Sequence, residues 1–169
     1  AAAAAITFSI GYLLGTAVAG YFITPITFNG RDASDLIAQD DRLAITGGSF
    51  SSVVDNLGSG ELVLTPTAGS AANITYNRAN SVHLNVGTTP SSIAALVFQL
   101  PASGANDATL ADVADGGATG LAAGSSQISG STFATTTFGN VPVTVNKGPG
   151  TNTATDNLTL GAHADLTQS

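Results

Sequence analysis

Hydrophobic and polar positions divide the chain into two textures. From Ala1 to Gly30 no side chain other than tyrosine can ionise, and the first charge is Arg31. The stretch AAAAAITFSIGYLLGTAVAGYFIT is apolar enough to be buried on every side as a helix. As a helix it would measure roughly 36 Å, enough to cross a bilayer. Pro25 ends it, because proline removes a backbone donor and disfavours helix in the residue before it. On a helical wheel Ile10, Leu14, Ala17 and Tyr21 share one arc, and Gly11, Gly15 and Ala19 line another. Gly11 and Gly15 form a G-x-x-x-G pair that permits close backbone approach. The pattern predicts a hydrophobic helix over residues 1–25. A cleaved signal peptide, a membrane anchor and a donated strand are the competing readings. The last rests on short alternation at Ile6–Ile10 and Ile26–Phe28.

Past Pro25 the pattern shortens to runs of strand length separated by Gly, Asn, Ser and Pro. Strands are expected at Arg42–Thr46, Phe50–Val54, Glu61–Thr65, Asn73–Tyr76, Val82–Val86, Ile93–Leu100, Thr132–Phe138, Val141–Asn146 and Leu158–Leu160. Turn chemistry punctuates them at Gly47-Gly48, Asn56-Leu57-Gly58, Pro101, Gly139-Asn140 and Gly148-Pro149-Gly150. This spacing predicts a β-sandwich or barrel over residues 26–169. Ile93–Phe98 is continuously apolar and fits either a core strand or a short helix. The Ala-, Gly-, Ser- and Asp-rich stretch 102–130 reads as a long surface excursion, with one helical turn or short strand at Thr109–Val113.

Composition narrows the function classes. Only 9% of the 169 residues are charged, with 4 basic against 11 acidic, a net charge of −7. A basic face for nucleic acid is therefore excluded, as is a polybasic lipid patch. With no cysteine there is no disulfide framework and no zinc-thiolate or iron–sulfur site. No cofactor and no small-molecule substrate are expected. The nucleophile-elbow and phosphate-loop motifs are missing, and Lys147, the only lysine, is followed by Gly148-Pro149-Gly150. His83 and His163 lie far apart in sequence, and the acids cluster in loops, so no catalytic residues are expected. Calcium is the one metal with a candidate donor set, Asp32, Asp35, Asp40 and Asp41, against the plainer reading of a solvated acidic surface. Sequons at Asn73-Ile74-Thr75 and Asn157-Leu158-Thr159 are permissive N-glycosylation sites, at the number chance supplies.

A charge-free leading helix on a cysteine-free head rich in Ser, Thr, Asn and Gly resembles an archaeal type IV pilin or archaeal flagellin. The likeness is one of layout over the whole chain. It implies a mainly β protein with an N-terminal hydrophobic helix, residues 1–25, carrying a β-sandwich head, residues 26–169. It further implies a homopolymer of identical subunits, held in the membrane before assembly and glycosylated on its outer surface. The polymer contacts would be Ile6, Ile10, Gly11, Leu13, Leu14, Gly15, Val18, Tyr21 and Phe22. Position 5 is Ala5, where the bacterial pilin start has glutamate. A second resemblance lies in Gly15-Thr16-Ala17-Val18-Ala19-Gly20-Tyr21-Phe22, which is similar to the signal-peptide junction of TasA-like matrix fibre proteins. That likeness implies jelly-roll subunits joined by a donated strand at residues 19–28. The expected function is thus a non-enzymatic subunit of an extracellular, cell-surface filament for adhesion or bundling. The alternatives are a strand-exchanging matrix fibre and a membrane-anchored surface binding module.

Overall fold

The computed structural model describes residues 7–11, 26–30, 41–77, 79, 81–84, 91–113, 125–139, 141–148 and 154–161. Fourteen strands run through these residues, and no helix does. They are β1 (Thr7–Gly11), β2 (Ile26–Asn29), β3 (Arg42–Thr46), β4 (Ser49–Asn56), β5 (Glu61–Pro66), β6 (Ala72–Asn77) and β7 (Ser81–Leu84). The chain continues through β8 (Ser92–Ile93), β9 (Leu96–Gln99), β10 (Asp107–Asp112), β11 (Ser126–Gly130), β12 (Thr135–Phe138), β13 (Val143–Asn146) and β14 (Asn157–Leu160). One sheet, here sheet A, has the order β1-β3-β7-β12-β11-β10-β14. The other, sheet B, has the order β13-β9-β4-β5-β6-β2, with β8 also paired to β4. Both are mixed, with parallel and antiparallel neighbours.

The expected N-terminal helix is corrected at residues 7–11. Ile10 and Gly11, placed on the helix as polymer contacts, belong to β1, which lies parallel to β3 at one edge of sheet A. The mainly-β, helix-plus-head architecture therefore gives way to an all-β one over the described residues. The local reason is visible in Ile6-Thr7-Phe8-Ser9-Ile10, which alternates with period two. A sheet edge satisfies that alternation by backbone pairing, and this overrides a helix forecast made from apolarity. Ile6, Leu13, Leu14, Gly15, Val18, Tyr21 and Phe22 lie outside the described residues.

Sheet B is organised around the meander β4–β5–β6, antiparallel throughout. In β5 the alternation is complete, with Leu62, Leu64 and Pro66 buried and Glu61, Val63 and Thr65 partly exposed. In β4 a register shift between Phe50 and Ser52 moves the inward positions from Phe50 to Val53 and Asp55. A bulge of this kind adds one residue and flips the parity beyond it. The β4–β5 turn closes at Gly60, whose φ of 64° and approach to the Tyr76 carbonyl leave no room for a side chain.

Sheet A is different in kind. Its centre, β3, β7 and β12, is parallel and assembled from segments far apart in sequence. Inward Leu43, Ile45, Val82 and Leu84 are buried, and so are the alternate residues Ala44, His83 and Thr137. Burial on both faces is the usual condition of parallel strands. Residues 102–130 also depart from the expected surface excursion, since they contain β10 and β11. Ala108, Leu110 and Ile128 from these strands enter the core. Ile93–Leu100, expected as one continuous element, is divided at Ala94-Ala95 into β8 and β9. One apolar cluster joins the inner faces of the two sheets, with Phe98 of β9 tilted against Phe138 of β12 at 5.3 Å between ring centroids.

Candidate functional site

Three places on the described residues carry polar or apolar groups arranged beyond the needs of simple packing. The first is interior. Asp55, on the post-bulge stretch of β4, is fully buried between the sheets. Its Oδ1 accepts from the Tyr76 hydroxyl and its Oδ2 from the Thr136 hydroxyl, each at 2.7 Å. Tyr76 lies in sheet B and Thr136 in sheet A, so one carboxyl ties the layers together. Burial pushes the Asp55 carboxyl up from 3.8 to about 6, against the lowering effect of the hydroxyls of Thr136 and Tyr76. Burial likewise pushes the Tyr76 phenol upward, reinforced by the Asp55 charge and by the hydrogen bond to it. With every oxygen engaged inside the core, this group has the chemistry of a structural tie.

A second feature is a surface groove of about 490 Å³ between the β4–β5 turn and the segment after β9. Neutral groups dominate it: Asn56, Ser59, Gln99 and Ser103 around Leu100 and Pro101. Its single carboxylate, Glu61, already accepts from the Asn56 and Asn73 amides at 3.3 and 3.1 Å. Among the described residues that line it, no nucleophile is paired with a base.

The third feature comprises the open edges. Sheet A ends in β1 on one side and β14 on the other, and sheet B ends in β13 and β2. Among the described residues these four strands end their sheets, and strands in that position present the backbone groups that recruit further strands. β14 stands apart. All four of its residues are exposed, and Leu158 and Leu160 are the large exposed hydrophobics among the described residues, at 45% and 65%.

The expected site residues distribute as follows. Asp32, Asp35 and Asp40 lie outside the described residues, whereas Asp41 is buried immediately before β3. Among the described residues no group of three or more acidic or histidine side chains is placed to hold a metal. Asn73 and Asn157 are both exposed, donating to Glu61 at 3.1 Å and to Asp107 at 2.7 Å. His83 is buried in β7, and His163 falls outside the description. Sequence reasoning misses Asp55, because the expected strand ends at Val54 and Asn56 opens the expected turn. Continuing the period through a bulge would place Asp55 inward beside Val53. It also misses the asymmetry between the edges, which depends on which strand ends each sheet.

Among the described residues no helix is long and apolar enough to cross a membrane, a statement that does not bear on membrane β-barrels. No protein-family model, curated protein or solved structure matches the chain.

Proposed function

We propose that the chain is the repeating, non-enzymatic subunit of an extracellular filament, joined from copy to copy by its N-terminal segment in strand form. The observation that carries this reading is the seat of β1. Among the described residues its strand partner is β3 alone, at the sheet edge, and residues 12–25 separate it from β2 on the other sheet. Fully extended, that connection reaches about 46 Å at roughly 3.3 Å per residue. A domain of this size has a radius of gyration near ~15 Å. β1 can therefore occupy the β3 edge of its own copy or of the next, with the same backbone pairing in both. Exchange that does not close on itself makes an open polymer, and concentration selects it over the monomer. A weakly charged surface rich in Ser, Thr and Asn suits such a fibre for lateral contact.

Locking β1 to its own β3 tests the reading. Ser9 is in register with Ala44, so Ser9→Cys with Ala44→Cys places two thiols on neighbouring strands of a chain with no other cysteine. Electron microscopy should show filaments from the wild type and from the reduced variant, and monomers from the oxidised one. Filaments of normal length from the variant fully oxidised as a dilute monomer, before assembly, would refute strand exchange.

A further inference from the structure

Sheet A has a property that none of its strands shows singly. Register links Phe8 to Leu43, Leu43 to Val82, Val82 to Thr136, Thr136 to Ile128, Ile128 to Leu110, and Leu110 to Leu160. These positions form one transverse row from the first strand of the sheet to the last. From Leu43 to Leu110 the row is buried, while at its end Leu160 is 65% exposed. Beside it, Leu158 is in register with the buried Ala108 and is 45% exposed. Among the described residues the apolar row thus passes from buried to exposed at β14, the last strand of the sheet.

Among the described residues the backbone of that edge is equally without a partner on its outer side. Asn157 N–H donates to the Asn106 carbonyl and Gly161 N–H to the Leu110 carbonyl, both at 2.8 Å. Alternate residues of a strand direct their N–H and C=O groups to opposite sides, so Leu158 and Leu160 direct theirs away from β10. Direction is the deciding fact. β1, β3, β7 and β12 are mutually parallel, β11 opposes them, and β10 and β14 return to the first direction. Both outer strands of sheet A therefore run the same way.

We infer that the β14 edge of one copy pairs in parallel with the outer edge of the β1 strand seated on the neighbouring copy, continuing sheet A from subunit to subunit. The inference rests on the filament reading above and adds its second contact. In this register Leu160 pairs with Phe8 and Thr159 with Thr7, so the transverse row passes unbroken into the next sheet. A two-fold β14–β14 pair would have to be antiparallel and would close as a dimer. Four residues of edge bury far less than the ~1,200 Å² of a stable interface. The contact is accordingly weak between isolated copies and effective only where β1 exchange already holds them together.

A pair of cysteines provides the test. Within one copy, positions 7 and 159 are separated by the width of a seven-stranded sheet, six steps of about 4.8 Å or roughly 29 Å, beyond disulfide reach. Thr7→Cys with Thr159→Cys, oxidised after assembly and digested, should yield by mass spectrometry a disulfide-linked peptide joining positions 7 and 159. The same protein oxidised as dilute monomer should not. Separately, Leu158→Lys with Leu160→Lys should unfold as the wild type does and raise the concentration needed for assembly at least tenfold, since both side chains are exposed. Three outcomes would each overturn the junction while leaving strand exchange standing. They are filaments without the linked peptide, unimpaired assembly of the lysine variant, or a dominant dimer bridged at position 159 from Thr159→Cys alone. Absence of filaments from the wild type, together with no linked peptide from the double cysteine variant, would overturn the two together.

Discussion

The β4–β5–β6 meander and the β3–β7–β12 centre of sheet A use strands of similar length and opposite logic. The meander pairs neighbours in sequence and keeps one face toward solvent, so Glu61, Val63 and Thr65 alternate with buried Leu62, Leu64 and Pro66. The parallel centre pairs strands that are dozens of residues apart, and it buries Ala44, His83 and Thr137 as well as the inward row. Hairpin strands can tolerate a wet face because closing them needs only a short loop. Parallel strands, joined only by long connections, are ordinarily covered on both faces. The contrast teaches that an outward-looking position is easily changed in one sheet and strongly constrained in the other.

The largest expected effect comes from placing the same charge on both outer rows. Thr137→Lys puts an ammonium at a site only 4% exposed and should destabilise by about 3–5 kcal/mol in urea titration. Val63→Lys, on the solvent side of β5, should change stability by less than about 1 kcal/mol. Equal losses from the two would erase the distinction between the sheets.

Asp55 sharpens the comparison from inside, since it is where the two layers meet. Its folded pKa of about 6 exceeds its ordinary value of 3.8, so the native state holds a proton more tightly than the unfolded chain. The stability linked to this proton is fully present below about pH 3.8 and is lost as pH rises through about 6. Acidification from pH 7 to pH 4 should therefore stabilise the fold by about 2 kcal/mol through this group. Asp55→Asn should flatten the profile across that window, because the carboxyl that titrates is gone. A wild-type stability curve that instead falls steadily from pH 7 to pH 4 would show that Asp55 is not the controlling group.

The smallest effect is kinetic. Local pairing should form first, because the loop-closure cost of the parallel centre is met only after more chain has ordered. Leu64→Ala in the meander should slow folding, whereas Val82→Ala in β7 should mainly speed unfolding. Stopped-flow chevrons would separate the two arms, and a higher φ at Val82 than at Leu64 would reverse the expected order.

These two regions also mark what can be read in advance. Arg42–Thr46 is expected and found with identical bounds, and Glu61–Thr65 and Asn73–Tyr76 fall within β5 and β6. β11 is hidden and β10 is legible only as one of two readings of Thr109–Val113, since Asp107–Asp112 and Ser126–Gly130 are mostly small and polar residues, with Leu110 and Ile128 the exceptions, inside a Gly- and Ala-rich stretch. They become strands because β12 and β14 flank them. Residues 7–11 look apolar all round and alternate as well; the sheet edge chose the alternation.

Period-two alternation and turn glycines are properties of short stretches, and the absence of cysteine and the scarcity of basic residues are properties of composition; the sequence determines them alone. Tertiary structure decided the rest: that β1 seats on β3, that a bulge turns Asp55 into the core, and that Leu160 ends a buried row in the open. The β1–β3 and β10–β14 registers join segments 35 and 50 residues apart, and the hydroxyls that hold Asp55 come from 21 and 81 residues away. Local pattern specifies which way a side chain alternates, and only the assembled sheet specifies what lies beside it.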